Sequence, residues 1–280
     1  MQSSDGWSQT ARAYASDSIV QIPSYFAKVA AEMLLQDFPA DGAVRFLDIA
    51  AGAGTLAGEI LKALTEEQRS GSSFDITDFS PGMVATAESE IAKLDAENKV
   101  SKKFQVMDGQ ALEFPEHSFS HVGCQFGVMF FPNRQKGFSE MYRVLQLDGT
   151  AVVLTWNYTD NLPLLLELSS YLQIPNLEPI VAAMNNILSA CGEPADFEAE
   201  LEQAGFRDIT VTKVERVFSL ANNEELFLGF ATNPAMKAFI GGEDKYNEWQ
   251  EFLRTVGSKW LNEEGRLCLK FVANIALAKK

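Results

Sequence analysis

Phe46-Leu47-Asp48-Ile49-Ala50-Ala51-Gly52-Ala53-Gly54-Thr55 is the stretch that decides the fold. A short apolar run carrying a single acid enters a turn of alanines and glycines, and a segment of helical period, Thr55 to Leu64, follows. The order reads strand, turn, helix. Small residues at such a turn let backbone N–H groups approach a ligand closely, and the helix N-terminus adds a positive field. Outward from this unit the pattern repeats. Strands are expected near Val44 to Ala50, Phe74 to Asp78, Lys103 to Met107, His121 to Phe126 and Thr150 to Trp156. Helices near Thr55 to Leu64, Pro81 to Leu94 and Gln135 to Leu145 fill the intervals, and two later strands are expected over Asp208 to Phe218 and Arg266 to Ala278. Alternation of this kind predicts an α/β protein with a parallel sheet, whose ligand lies beyond the carboxyl ends of the strands.

Composition narrows the class. The 280 residues are enough to bury a large core in one elaborated domain. With 46% apolar and 22% charged residues the chain is ordinary for a globular protein, and no run approaches the roughly 20 apolar residues that span a bilayer. The first residues lack a basic start followed by an apolar run, so a cytoplasmic protein is expected. A net charge of −15 works against nucleic acid as a partner. Cys124, Cys191 and Cys268 lie far apart and form no pair of metal-ligand spacing, so no metal is expected and packing is their default role.

Three strand tips carry an acid. Gly52 to Ala57 fits the Gly-x-Gly-x-x-Gly/Ala pattern of dinucleotide binders, so an NAD-dependent oxidoreductase must be weighed. Asp48 argues the other way, because a carboxylate at this tip suits a cationic amino group and sits poorly beside a pyrophosphate. The plain alternative is a strand-end turn with a capping role. The second strand ends in Thr77-Asp78-Phe79-Ser80-Pro81-Gly82-Met83, where Asp78, 24 residues after Gly54, is placed to accept hydrogen bonds from ribose hydroxyls. Pro81 suits the first helical turn with Ser80 as its N-cap, and Phe79 and Met83 either flank an adenine or belong to the core. The third tip, Val106-Met107-Asp108-Gly109-Gln110-Ala111, offers a carboxylate for an exocyclic amine and backbone amides for ring nitrogens.

Taken in order, these segments resemble the class I, seven-strand S-adenosylmethionine-dependent methyltransferases, in the small-molecule branch with the ubiquinone and menaquinone C-methyltransferases. The resemblance runs from about Phe46 to Trp156. It implies a Rossmann-like, mostly parallel seven-stranded sheet with helices on both faces, plus helical N-terminal and lid insertions. The expected division is a helical cap over 1–40, a cofactor core over 41–157, insertions over 158–195 and 221–264, and closing strands over 196–220 and 265–280. By the same resemblance Asp48, Gly52 and Gly54 hold the methionine part of S-adenosylmethionine, Asp78 the ribose, and Asp108, Gly109 and Gln110 the adenine. Gln125 and Phe126 lie beside the cofactor, and Tyr14 meets the methionine carboxylate. Ala50 is a departure, standing in the same loop where the family commonly has Gly. The turn Glu116 to His121 also departs, lacking the Asp that usually follows Phe119, but it lies at the opposite edge from the ligand. A cofactor-binding regulatory protein without catalysis is the second alternative.

The substrate pocket has to come from the variable parts. Trp7, Met129, Trp156 and Trp249 are its candidate lining, for a small apolar or aromatic acceptor. Trp249, Phe252, Leu253, Val256 and Trp260 recur at helical spacing, which fits a lid helix anchored to the sheet and, more sharply, one wall of the pocket. Leu162 to Leu168 is a candidate second wall. Both histidines, His117 and His121, fall at the beginning of the fourth strand, so no general base is assigned.

Overall fold

Strand β1, Arg45–Ile49, is buried over its last four residues because helices cover both of its faces. Around it lie β2 (Ser73–Asp78), β3 (Ser101–Val106), β4 (Phe119–Gln125), β5 (Leu145–Thr159), β6 (Arg207–Leu220) and β7 (Leu267–Lys279). They form one seven-stranded sheet in the order β3-β2-β1-β4-β5-β7-β6. The first five run parallel, and β7 pairs antiparallel with β5 on one side and β6 on the other. The chain order reverses beside β1, so the crevice between the β1 and β4 tips is the topological switch point where such sheets bind ligands. The computed structural model describes residues 4–14, 17–38, 42–95, 99–175, 177, 179, 181–182, 192–220, 223–232, 239–240 and 243–280.

The helices include α1 (Ser4–Tyr14), α2 (Asp17–Leu35), α3 (Thr55–Ala63), α4 (Glu66–Arg69), α5 (Pro81–Leu94), α6 (Arg134–Val144), α7 (Asn161–Tyr171), α8 (Pro194–Gln203), α9 (Asn223–Thr232) and α10 (Tyr246–Arg254). Alternation along the strands divides the core in two. Phe46, Phe74 and Ile76 face α2, α3 and α5 through Phe26, Ala57, Ile60 and Ile91. Leu47, Ile49 and Val122 face α6 and α8 through Phe138, Met141 and Phe197. The α/β sheet expected from the sequence is present, with strand ends displaced by a few residues. Among the described residues no helix is long and apolar enough to cross a membrane.

The insertions pack differently from the sequence reading. Leu162, Leu164, Leu165 and Leu168 of α7 are buried in the first core, so they are interior and form no open wall. Trp249, Phe252 and Leu253 of α10 share that core, as the anchored-lid reading expects. The helix then breaks at Thr255 (φ −109°, ψ −91°) and continues as a 3-10 turn over Val256–Trp260. Val256 consequently leaves the apolar face and is 56% exposed. Cys124 is buried and Cys268 half-buried, while Cys191 lies outside the described residues.

Candidate active site

The loop after β1 is held by the tip of β2. Ala51 N–H donates to the Thr77 carbonyl at 2.9 Å, and Thr77 Oγ1 donates to the Asp48 carbonyl at 3.0 Å. Gly52 N–H donates to Asp78 Oδ2 at 3.0 Å, and Ser80 N–H to Asp78 Oδ1 at 2.9 Å. Asp78 therefore fixes the loop and the start of α5 while each oxygen keeps accepting capacity. Ala50, Gly52 and Gly54 all have left-handed backbone, at φ 52°, 56° and 77°. A Cβ on Gly52 would meet nothing within 4 Å, so this part of the loop faces open space. Gly54 is different, for its Cβ would lie 2.9 Å from Ile91 of α5.

Asp48 is fully buried at the end of this arrangement. Oδ2 accepts the Ala57 N–H at 3.1 Å, whereas Oδ1 has no partner. Burial pushes its carboxyl up to about 7, with the Ala57 N–H opposing and the negative Asp78 adding to the rise. Burial also raises Asp78. The charge acting on Asp48 is Asp78 from β2, of the same sign.

At the third tip Asp108 is exposed, and its Oδ1 accepts from both the backbone N–H (2.9 Å) and Nε2 (3.2 Å) of Gln110. Gln110 Oε1 in turn accepts the Asn133 N–H at 2.8 Å, so this side chain ties the loop to the start of α6. Gly109 is buried where a Cβ would strike Phe131 and Ile49. Phe79 stands 40% exposed beside Asp78. At the fourth tip Gln125 Nε2 donates to the Pro23 carbonyl of α2 at 2.7 Å. Phe126 has φ 54°, and its ring stacks on Trp156 at 3.7 Å with Phe26 of α2 edge-on to both.

Helix α1 roofs the β2 side. Trp7 and Met83 are buried together with Ala11, and Phe130 meets Trp7 edge-on at 5.1 Å. Both side chains are used in docking α1, so of the two readings of Met83 its place in the free protein is that of a core residue, and Trp7 is buried rather than presented to an open pocket. Trp249 is likewise buried, between Phe227 and Phe252, and lines no open wall. Met129 is buried in the 3-10 turn after β4. The Tyr14 side chain lies outside the described residues. Two residues that the sequence did not single out belong here. Ser8 Oγ pairs with Ser80 Oγ at 2.8 Å and accepts the Gly82 N–H at 3.1 Å, and Pro23 receives Gln125. No motif marks either, because both contacts join segments remote in sequence.

The sequence profile of the ubiE/COQ5 methyltransferase family matches residues 29–215. This chain belongs to that family. Among curated proteins, this ubiE/COQ5 family member is similar to methyltransferase tpcH of Aspergillus fumigatus, 26% identical over 174 residues covering 61% of this chain and 60% of that one. It is also similar to the demethylmenaquinone methyltransferase of Bacteroides fragilis, 31% identical over 147 residues covering 52% and 57%. The chain therefore spans about three fifths of the length of the curated relatives it matches. Among solved structures the YcgJ protein of Bacillus subtilis superposes with a TM-score of 0.54 at 16% identity, covering 90% of this chain and 98% of that one. The cyclase SpnF gives 0.51 at 15% identity, covering 90% and 80%. These likenesses establish the fold, and the residues at the tips have to carry the chemistry.

The state of Asp48 gives a pH test. Its folded value of about 7 lies above the ordinary 3.8, so the native state holds the proton more tightly than the unfolded chain. Its stabilising contribution is then complete below the unfolded value and is lost as pH rises through about 7, a change on the order of 4 kcal/mol. Without ligand, Asp48→Asn is expected to melt progressively higher than the parent as pH goes from 4 to 7, with the gap constant above. A gap independent of pH would show that Asp48 does not titrate in this window.

Proposed function

We propose that the chain is an S-adenosylmethionine-dependent methyltransferase acting on a small, apolar, planar acceptor. The observation carrying the reading is the buried Asp48 Oδ1 that has no partner, at the head of a loop whose Gly52 faces open space. A dinucleotide would bring a pyrophosphate to that oxygen, whereas S-adenosylmethionine brings an ammonium. In this reading Asp48 and the loop from Ala50 to Gly54 hold the amino-acid part. Asp78 takes the ribose hydroxyls, Phe79 lies against the base, and Asp108 with the Gly109 backbone takes its polar edge. When bound, S-adenosylmethionine supplies a methyl group activated by the sulfonium.

The protein's share of the work is placement and exclusion of water. Holding two reactants in a near-attack arrangement is worth up to roughly 7 to 11 kcal/mol. Helix α1 closes the β2 side through Ser8, Trp7 and Met83, and α2 is tied across the β4 tip by Gln125. Phe126 and Trp156, both half-buried, present stacked rings at the switch point, a surface suited to a flat apolar molecule. The relatives named demethylmenaquinone methyltransferase support a quinone-like ring as that acceptor.

Calorimetric titration is expected to show S-adenosylmethionine binding and no binding of NAD, with Asp78→Ala weaker by about 1.5 to 3 kcal/mol. Incubation with reduced naphthoquinones and phenols is expected to accumulate S-adenosylhomocysteine. NAD binding in place of S-adenosylmethionine would overturn the cofactor assignment, and binding without turnover on any such acceptor would indicate a non-catalytic protein.

Histidine chemistry is absent from this mechanism. His121 is buried against Phe38 (4.3 Å), and burial lowers its pKa to about 4. It pairs with Phe46 near the start of β1, and five residues of strand put it roughly 16 Å from Phe126. His117 contacts the Leu145 carbonyl at the same end of the sheet. His117→Gln and His121→Gln should each keep the transfer rate within about threefold, against the 10²- to 10⁴-fold loss typical of removing a general base. A hundredfold loss at normal cofactor affinity would put a histidine in the chemistry.

A further inference from the structure

Gly127 follows the β4 tip with φ −94° and ψ −46°, a right-handed conformation open to any residue. Backbone freedom therefore does not require glycine here, but space does. A Cβ at Gly127 would lie 2.5 Å from the Ala50 Cβ and 3.0 Å from Cys124 Sγ. The Ala50 methyl cannot turn aside, because a Cβ is carried rigidly by its backbone. That backbone is pinned on the far side by Ala51 N–H to Thr77 and Gly52 N–H to Asp78. It is also held left-handed, at φ 52°, an arrangement that for a non-glycine residue persists only when the surroundings enforce it. Phe126, immediately before Gly127, is left-handed too. The tips of the two central strands thus meet at one contact, the Ala50 methyl seated where Gly127 has no side chain.

We infer that Gly127 is a positioning residue for the cofactor loop: the space it leaves sets where Ala50, and with it Gly52 and the head of α3, can stand. Ala50 and Gly127 are a reciprocal pair, in which a methyl on one side requires its absence on the other. The inference rests on the methyltransferase reading above, and it adds a residue that acts through Ala50.

The test is a double-mutant cycle read as S-adenosylmethionine affinity, with ligand-free melting temperature measured alongside. Gly127→Ala in the parent background should weaken binding about tenfold or more, because the loop must move to accept the methyl. In the Ala50→Gly background the same substitution should weaken it by less than about threefold. An equal loss in both backgrounds, or a lower melting temperature with undiminished affinity, would overturn the inference, the latter leaving Gly127 a purely structural role. If Gly127→Ala fails to fold, recovery of folded, binding-competent protein on adding Ala50→Gly supports the pairing. Failure to recover assigns the glycine to Cys124 and overturns it. Parent protein that binds no S-adenosylmethionine would overturn the methyltransferase reading itself, a result distinct from a parent that binds and a Gly127→Ala variant that binds equally well.

Discussion

Asp48 closes the central strand with one oxygen on the Ala57 N–H and the other buried without a donor. A carboxylate so placed is costly to ionise, and the nearest charge, Asp78, has the same sign. The fold tolerates this because β1 is buried on both faces and cannot release its tip. On the proposed reading, a ligand that brings a positive group to Oδ1 would remove the penalty, and the destabilising feature of the free protein would become binding energy in the complex. Replacing Asp48 should consequently separate stability from affinity, a pattern expected at functional sites.

The surroundings of Asp48 show how little freedom the loop retains. Its N–H groups are committed to Thr77 and Asp78, its methyl at Ala50 is lodged against Gly127, and Gly54 is packed on Ile91. Gly52, by contrast, faces open space. The glycines here thus stand in different surroundings: a Cβ on Gly52 would meet open space, one on Gly54 would meet helix α5, one on Gly109 would meet Phe131 and Ile49, and one on Gly127 would meet Ala50. Left-handed backbone at Ala50 and Phe126 concentrates strain at the same crevice.

Much of the fold was legible because strand and helix periods are local properties. The apolar runs at Phe46, Phe74 and Val152 and the turn residues between them mark a parallel sheet without any tertiary information. The acids at the strand tips were legible for a related reason, since a tip is fixed by where the run ends. What could not be read is how helices dock. The spacing of Trp249, Phe252 and Val256 predicts one face, but the break at Thr255 sends Val256 to solvent. Trp7 and Met83 carry the composition of a pocket and are used to seat α1. Gln110 carries the position of an adenine contact, yet its amide is committed to Asp108 and Asn133. Contacts such as Gln125 to Pro23, or Ala50 to Gly127, join segments far apart in the chain, and a single sequence contains no signal for them.

The account turns on a proton. If Asp48 holds one in the free protein and gives it up when an ammonium arrives, cofactor binding at pH 6 should release close to one proton per molecule bound. Calorimetric titration with S-adenosylmethionine in two buffers of very different ionisation enthalpy measures that number directly. The expected result is a clear buffer dependence at pH 6, where the ligand's amino group is already an ammonium, that disappears in Asp48→Asn. Binding with the same enthalpy in both buffers at pH 6 would contradict the claim that this buried carboxylate receives the cofactor's cation.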